Sequence, residues 1–505
     1  WPILVKAAAG GGGKGMRIVR TPADLPDAMA AAARESAGAF GDDTLLAEKY
    51  VEHGRHIEVQ VFGDTRGNVV HLGERDCSVQ RRHQKVIEEA PAPTLTHDQR
   101  TAIRAAGAAL AQRVGYVGAG TVEFLLDAET GAFYFLEMNT RLQVEHPVTE
   151  MITGIDLVEW QLRVADGQPL PLTQGEITFE GHAIEARIYA EDPYAGFLPQ
   201  AGTLTEVQWM YISIADRGSA PTALFALNNF RLDSAYGATV SSRYDPMLAK
   251  AIAFGADRES ARRRLAGELG NAVYRGIATN VGFCHELITS DEFSDCEIDT
   301  AWLDGATDWI ARKRTQAEKR ARALAAMVAG IEVQGRGEAG PWKVDGWRSG
   351  GPAQAGVFLG EPLAFSAAQD PFGTSERFRR SEQPLRDSMK YRSSVGAVWH
   401  LPEGIEVISR GQRTFFPRHD PFGAEGALAS DDQVAAPMPG TVLAVEVSAG
   451  DHVTSGQRLG VMEAMKMELA LTAPHAGVVR AVGASPGDQV KLGAMLFEVV
   501  AEETP

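Results

Sequence analysis

The chain has 505 residues, 44% of them hydrophobic and 23% charged, with a formal net charge of −17. That is enough for about three ordinary globular domains. It is too acidic for nucleic acid to be the main partner, because phosphate backbones need clustered Lys and Arg. Cys77, Cys284 and Cys296 stand alone without CxxC spacing. They argue against a disulfide framework or a zinc site and for a reducing, cytoplasmic setting. No apolar run is long enough to span a membrane, and the run at Trp1–Val5 is too short for a signal peptide, so no membrane partner is expected. The chain opens on Trp1, without Met, inside a strand-like stretch, which reads as a truncated start.

Ile3-Leu4-Val5 reads as a strand that runs through Lys6 into a glycine-rich loop containing Gly11, Gly12, Gly13 and Gly15. Glycines let backbone N–H groups approach phosphate oxygens, although the same residues also suit a plain hairpin tip. Met16 follows Gly15, so the loop is not a Walker motif. An Ala-rich helix is predicted over 24–37 and strands over 45–51 and 56–62. The second strand alternates polar and apolar residues, the pattern of a half-buried strand. Gly73 to Lys85 is densely polar, with neither helical nor strand periodicity. It reads either as a solvated face or as an anion-binding segment.

A further Ala-rich helix is predicted over 96–114. Two strands follow, Thr121–Leu126 and Phe133–Glu137, joined by a short turn through Asp127 and Gly131. Glu137, Asn139, Arg141, Gln143 and Glu145 occupy alternate positions, so an extended chain puts all five on one face. Leu136, Met138, Leu142 and Val144 would anchor the other face. Glu123 on the neighbouring strand can join Glu137. Two carboxylates and an amide oxygen suit Mg2+ that keeps phosphate ligands. The plain alternative is an exposed polar sheet face.

The glycine loop, the segment 74–85, the run Glu137-Met-Asn-Thr-Arg-Leu-Gln-Val-Glu-His-Pro147 and the run Gly181-His-Ala-Ile-Glu-Ala-Arg187 together resemble the ATP-grasp biotin carboxylase family over about residues 1–310. The resemblance implies that Lys6, Gly11, Gly12, Gly13, Gly15, Glu48, Lys49, His56, Gln80 and His83 hold ATP. It implies Mg2+ (or Mn2+) on Glu123, Glu137 and Asn139, and bicarbonate on Lys85, Arg141, Gln143 and Val144. Glu145 would be the general base, and Arg187 would face biotin and stabilise its enolate. The chemistry agrees with these roles. Bicarbonate is a poor nucleophile, so a carboxylate must take its proton while cations fix its position, and attack on the γ-phosphoryl needs positive charge around it. Two features depart from the family pattern: its N-terminal Rossmann-like domain is missing, and Trp209–Phe230 does not fit. The pattern returns at Tyr244-Asp-Pro-Met-Leu-Ala-Lys250 and at Gly276-Ile-Ala-Thr-Asn280.

Helices are predicted over 257–269 and 311–327, the second ending at Gly330. Short apolar segments over about 331–420 read as a small β-rich domain. At this position it resembles the domain by which acyl-CoA carboxylase α subunits dock their carboxyltransferase, though 371–394 fits poorly. A Gly-, Ala-, Ser- and acid-rich stretch over 422–433 reads as a mobile linker. Beyond it, Ala436-Pro437-x-x-Gly440 recurs as Ala473-Pro474-x-x-Gly477, and Gly450-Asp451-x-Val453 as Gly487-Asp488-x-Val490. Both pairs have an offset of 37 residues. Lys466 lies in Ala464-Met-Lys-Met467, where the first half hands over to the second. This resembles the biotin-carrier domain, with Lys466 the biotinylated residue. Its ten acidic and four basic side chains from Asp431 onward would suit a shuttle that visits cationic sites.

The expected architecture is multidomain α+β. An ATP-grasp domain (1–165) and a biotin carboxylase C-terminal domain (166–310) precede a helix plus β-rich docking domain (311–421). A linker (422–433) and a flattened β-barrel biotinyl carrier (434–502) complete it. The expected function is ATP- and bicarbonate-dependent carboxylation of biotin on Lys466, feeding a separate carboxyltransferase β subunit in a hetero-oligomer. Biotin protein ligase is a second partner. The wording around Tyr189–Pro193 and Gly196–Pro199 most resembles methylcrotonyl-CoA carboxylase α subunits. The alternatives are propionyl-, acetyl- or geranyl-CoA partners, pyruvate or urea carboxylation, and a non-catalytic carrier and docking fragment.

Overall fold

The computed structural model describes residues 1–9, 16–82, 84–209, 212–213, 226–227, 229–234, 239–241, 244–335, 355–359, 361–365, 379–380, 389–393, 396–401, 404–417, 432–437, 440–464, 467–491 and 493–501. They form two compact units, the first of residues 1–180 with 296–305, the second of 181–295 with 306–505.

In the first unit, β1 (Ile3–Ala7), β2 (Arg17–Val19), α1 (Leu25–Phe40) and β3 (Leu45–Lys49) form a small layer with sheet order β2-β1-β3. α1 covers it through Val5, Val19 and Ala32. Next come β4 (Gly54–Gly63), β5 (Val69–Arg81), β6 (Gln84–Ala90), α2 (His97–Arg113), β7 (Gly118–Asp127), β8 (Phe133–Asn139), α3 (His146–Thr153) and α4 (Leu157–Ala165). Their strands run β6-β5-β4-β7-β8, and the β5–β4–β7–β8 pairings are antiparallel. α2 starts at a reciprocal capping box between Thr96 and Gln99, two orphan N-terminal donors satisfied at once.

All ten residues of β4 are buried, not every second one as alternation suggested. Ile57, Val59 and Val61 enter the core under Ile103 and Ala111 of α2. On the reverse face Phe62 meets Trp160 of α4 edge-on at 5.5 Å, while His56, Glu58 and Gln60 enter a buried polar cluster. The alternation was genuine, but the polar side faces other protein groups instead of water. The dense polar segment 73–85 is likewise regular strand over most of its length (β5 and the start of β6), because its charges are consumed inside the fold. Glu74 holds Arg100 at 2.8 Å and also pairs with Arg104, and Arg55 holds Asp76 at 3.0 Å.

β8 ends at Asn139, so the five alternating residues 137–145 do not share a strand face. Only Glu137 and Asn139 do. Gln143 arrives on the following loop and Glu145 as the residue that precedes α3, where Pro147 sits in the first turn. Met138 and Leu142 do anchor apolar clusters, but Leu136 is exposed, because β8 is an edge strand.

In the second unit, β9 (His182–Tyr189), β10 (Glu206–Trp209), β11 (Phe230–Ser234), β12 (Met247–Gly255), α5 (Arg258–Asn271), β13 (Val273–Arg275) and α6 (Val281–Ile288) precede the long α7 (Thr307–Gly335). β12 pairs antiparallel with both β11 and β9. The departure at 209–230 begins inside the core: Trp209 is buried against Phe230 and Tyr274, while 210–211 and 214–225 lie outside the described residues. α7 passes Gly330, since an interior glycine weakens a helix by about 1 kcal/mol without ending it.

β14 (Met389–Ser393), β15 (Gly396–Leu401), β16 (Gly404–Ser409) and β17 (Gln412–Pro417) form an antiparallel meander. The expected linker lies almost wholly outside the described residues.

The carrier comprises β18 (Gln433–Ala435), β19 (Gly440–Val445), β20 (His452–Val453), β21 (Arg458–Ala464), β22 (Met467–Thr472), β23 (Gly477–Val482), β24 (Gln489–Val490) and β25 (Met495–Val500). It has two four-stranded sheets, β18-β25-β23-β20 and β22-β21-β19-β24. Among the described residues no strand pairing joins them, so the expected flattened barrel is a pair of facing sheets; three of their four edge strands have two or three residues and the fourth, β22, has six. Val442, Leu459, Met462, Val479, Leu496 and Phe497 fill the space between. The 37-residue repeat is structural. Gly450 N donates to Val479 O at 2.8 Å, and its counterpart Gly487 N to Val442 O at 2.7 Å. Both glycines have φ above +90°, where an L side chain is strained. The turn of each half therefore docks on a strand of the other.

Candidate active site

Strand register assembles a row of charge across the first unit. Glu58 of β4 lies opposite Arg75 of β5 on one side and Glu123 of β7 on the other, and Glu123 lies opposite Glu137 of β8. Directly opposed side chains sit about 4.5–5.5 Å apart at Cβ, so four ionisable groups share one ledge. Asn139 and Thr121 occupy the adjoining row with Gln60.

Lys85 of β6 is the hub. Its ammonium donates to Glu58 Oε2 at 2.6 Å, Glu145 Oε1 at 2.6 Å and Glu123 Oε1 at 3.2 Å. The fully buried Arg75 braces this hub from behind. Its Nε donates to Glu58 Oε1 at 2.6 Å, and its other nitrogens donate to Gln60, Thr149, Thr121 and Gln143 at 2.8–3.2 Å. Gln143 Nε2 and Asn139 Nδ2 each donate to Glu123 Oε1 at 2.9 Å, and His56 Nε2 lies 3.2 Å from Glu123 Oε2.

The charges set one another. Burial pushes the Glu58 carboxyl up, but Lys85 and then Arg75 overcome it and hold it at about 2. Burial also raises Glu123, yet its bonds from His56 and the nearby Lys85 bring it below the carboxylate range. Burial alone would lower Lys85; the surrounding carboxylates of Glu58, Glu145 and Glu123 raise it well above an ordinary lysine. Glu58, Glu123 and Lys85 are therefore ionised at neutral pH, with Cys77 beneath them kept as a thiol by burial.

Among the residues predicted for bicarbonate and proton transfer, the structure brings together Lys85, Gln143 and Glu145. Arg141 is exposed and donates to Leu142 O at 3.4 Å, and Val144 is half-buried on the same loop. The predicted metal set converges: Glu123 and Glu137 face each other across paired strands, and Asn139 Nδ2 lies 2.9 Å from the first and 3.5 Å from the second. Two carboxylates on one ledge fit a hard cation, which the Asn139 amide would join through its oxygen once turned over.

Of the predicted ATP contacts, His56 and Gln80 are buried beside the cluster, with Gln80 opposite Lys85 in register. Lys6 and Glu48 pair at 2.7 Å on the small sheet, and Lys49 reaches Asp127 and Tyr134 Oη, each at 3.2 Å. Gly11, Gly12, Gly13, Gly15 and His83 lie outside the described residues. Arg187 sits on β9 of the second unit, half-buried. Lys466 also lies outside the described residues, but the strands before and after it pair with Ala464 opposite Met467.

Glu58 and Arg75 are the site residues that sequence reasoning missed. The signal was His56, Glu58 and Gln60 at every second position of one strand, together with the Glu-Arg-Asp triplet at 74–76.

Comparison with known proteins agrees with this geometry. Residues 1–173 match the family described as carbamoyl-phosphate synthase L chain, ATP binding domain; residues 185–305 match the biotin carboxylase C-terminal domain; residues 432–499 match the family described as biotin-requiring enzyme. The mitochondrial methylcrotonoyl-CoA carboxylase subunit alpha of Oryza sativa subsp. japonica is 38% identical over 93% of this chain and 69% of its own length. The propionyl-CoA carboxylase alpha chain of Ruegeria pomeroyi is 37% identical over 93% of this chain and 73% of its own. A Campylobacter jejuni biotin carboxylase–ATP complex has a TM-score of 0.54 and 43% identity, covering 60% of this chain and 65% of that one. The Hydrogenobacter thermophilus 2-oxoglutarate carboxylase biotin carboxylase domain, solved with MgADP and bicarbonate, has a TM-score of 0.55 and 41% identity, covering 61% and 65%. This chain thus spans about seven-tenths of its curated relatives. With the charged ledge in one unit and the duplicated carrier in the other, it belongs to the α-subunit family of biotin-dependent acyl-CoA carboxylases, joining an ATP-dependent biotin carboxylase to a biotin carrier.

Proposed function

We propose that this chain is the biotin-bearing α subunit of a methylcrotonyl-CoA carboxylase. It carboxylates biotin held on Lys466 and hands the carboxyl group to a carboxyltransferase β subunit. The observation that carries this reading is Lys85, clamped by Glu58, Glu123 and Glu145 within 3.2 Å. A cation fixed among carboxylates can hold a small oxyanion in place, and the adjacent carboxylate can take its proton.

In this reading Lys85, Arg141, Gln143 and the Val144 backbone hold bicarbonate, and Glu145 accepts its proton. Glu123, Glu137 and Asn139 hold Mg2+ (or Mn2+), which when bound neutralises charge on the transferring phosphoryl group. Lys6, the glycine loop, Glu48, Lys49, His56, Gln80 and His83 hold ATP. Arg75 and Glu58 keep the Lys85 ammonium in place. Arg187 supplies a fixed cation for the developing negative charge on the ureido oxygen. Biotin itself contributes the ureido nitrogen that carries the carboxyl group. The domain limits 1–165, 166–310, 311–421, 422–433 and 434–502 belong to the same proposal. So do attachment by a biotin protein ligase, a hetero-oligomeric assembly and a cytoplasmic setting. The three free cysteines support a reducing compartment, and among the described residues no helix is long and apolar enough to cross a membrane.

Two assays test the reading. Lys466→Arg in the full chain is expected to abolish retention on avidin while free biotin is still carboxylated with ATP and bicarbonate. The wild-type chain on avidin is expected to co-purify with a carboxyltransferase active on 3-methylcrotonyl-CoA. A propionyl- or acetyl-CoA carboxyltransferase would reassign the substrate. A biotinylated chain without bicarbonate-dependent ATP hydrolysis would leave only a carrier and docking role.

A further inference from the structure

Asn280 closes the motif Gly276-Ile-Ala-Thr-Asn280 and precedes α6 as its N-cap residue. An asparagine at this position ordinarily turns its side-chain oxygen onto the first backbone N–H groups of its own helix. Asn280 makes no such bond. Its side chain, fully buried, reaches across to β9 instead. Nδ2 donates to Arg187 O at 2.9 Å, and Oδ1 accepts from Tyr189 N at 2.8 Å. The Asn280 backbone N–H also donates to Tyr189 O at 3.1 Å. Cys284, one turn into α6, places its sulfur 3.9 Å from the same Arg187 carbonyl.

β9 and β12 pair in register from His182–Gly255 up to Arg187–Lys250. The ladder then slips by a residue between Ala249 and Met247, opposite Ile188 and Tyr189. The extra residue there is Leu248 of β12, so β9 keeps its alternation: Ala190 N donates to Pro246 O at 2.8 Å on the β12 side, and the backbone groups of Arg187 and Tyr189 face the other edge. One amide side chain, with a donor and an acceptor on the same group, caps that other edge on both sides of residue 188.

We propose that Asn280 is a positioning residue for biotin carboxylation: by clamping the backbone on both sides of Ile188 it fixes where the Arg187 side chain emerges from β9. This rests on the reading of Arg187 as the cation that faces biotin. Misplacing such a group by about 1 Å can lower a rate about 100-fold. ATP and bicarbonate are assigned to residues of the first unit, so the clamp should govern transfer to biotin and not the activation of bicarbonate.

The test compares wild-type full chain, Asn280→Ala, Asn280→Asp and Arg187→Gln, all biotinylated. One readout is structural and independent of turnover: amide hydrogen exchange of the 182–190 strand. Asn280→Ala is expected to speed exchange at Tyr189 at least about tenfold. Asn280→Asp, which keeps the acceptor oxygen, is expected to restore most of the protection. The other readout is the carboxyl label appearing on biotin per ADP released. It is expected to fall at least about tenfold in Asn280→Ala and Arg187→Gln, and by less in Asn280→Asp. KM for ATP and bicarbonate should stay within about twofold of wild type. An unchanged ratio in Asn280→Ala alongside a reduced one in Arg187→Gln overturns the clamp and leaves the role of Arg187 standing. Label and ADP falling in proportion, with a lowered Tm, makes Asn280 structural only. An unaffected Arg187→Gln, or a wild-type chain that releases no ADP, overturns the functional reading and the clamp with it.

Discussion

Two buried ion networks lie in different units of this molecule, and they are built on opposite principles. At the ledge of the first unit, one lysine meets three carboxylates, with Arg75 behind. In the second unit, one carboxylate, Glu406 of β16, meets two arginines: Arg275 of β13 at 2.5 Å and Arg413 of β17. Arg275 also holds Glu206 at 3.2 Å and stacks its guanidinium 4.4 Å over the buried ring of Trp399. Around it the meander is keyed tightly onto α5 and α6. A Cβ on Gly411 would lie 2.5 Å from Leu269 O, and one on Gly282 would lie 2.6 Å from Gln412. The second network pairs two acids with two bases and joins the meander to the core, as an internal seam does. The first gathers acids beyond what its lysine alone balances, and that excess suits a metal ion or a proton in transit. Burial and ion pairing are common to both, so the balance and convergence of charge are what separate a site from a seam.

Substitutions that are nearly isosteric should split the two. Glu145→Gln is expected to lower bicarbonate-dependent carboxylation of biotin by roughly 10²–10⁴-fold, the usual worth of a positioned base. The Tm should move by only a few degrees, checked by steady-state kinetics and a thermal melt on one preparation. Glu406→Gln is expected to do the reverse. Breaking one partner out of a buried pair removes about 3–5 kcal/mol of stability in urea unfolding, while activity per folded molecule stays within about twofold. A kinetic defect from Glu406→Gln without loss of stability would erase the distinction.

Acid sharpens the comparison further. Glu58 is held at about 2, below its ordinary 4.5. A depressed carboxyl stabilises the fold above its unfolded value, and that contribution disappears as pH falls through 4.5 towards 2. It amounts to at most about 3 kcal/mol. Urea stability of the wild type should therefore drop across that window, and Glu58→Gln should drop less steeply. A smaller effect belongs to the second unit. Burial lowers His285 of α6 from 6.5 to about 4, so the unfolded chain binds the proton more readily. Stability should decline as pH falls from 6.5 to 4, by less than about 3 kcal/mol because His285 is only partly buried. His285→Asn should flatten that decline.

What could be seen beforehand depended on how local the signal was. The paired strands at 118–139, the capped helix after Thr96 and the carrier's internal repeat all rest on neighbours in sequence, and each stands where the residues suggested. The repeat was the clearest case, since glycines with positive φ recur at the same offset. The ledge was only half visible. Glu123, Glu137, Asn139 and Lys85 declared themselves, but Glu58 and Arg75 looked like the outward face of an ordinary strand and a solvated run. Only strand register puts Arg75 opposite Glu58 and Glu58 opposite Glu123, and register is a long-range property that single-strand periodicity does not encode. For the same reason, extrapolating alternation from Glu137 to Glu145 failed once the chain left the strand at Asn139. The seam at Arg275 and Glu406 was invisible, because its partners lie 131 residues apart.

In the proposed function the ledge around Lys85 activates bicarbonate for the biotin on Lys466. The most direct measurement incubates the purified, biotinylated full chain with ¹⁴C-bicarbonate and follows label on its biotinyl peptide. Label is predicted to appear only with ATP and Mg2+ together, and to vanish in Glu145→Gln with biotinylation intact. A biotinylated wild-type chain that stays unlabelled, or a Glu145→Gln chain labelled as fast as wild type, would mean that the ledge does not activate bicarbonate for Lys466.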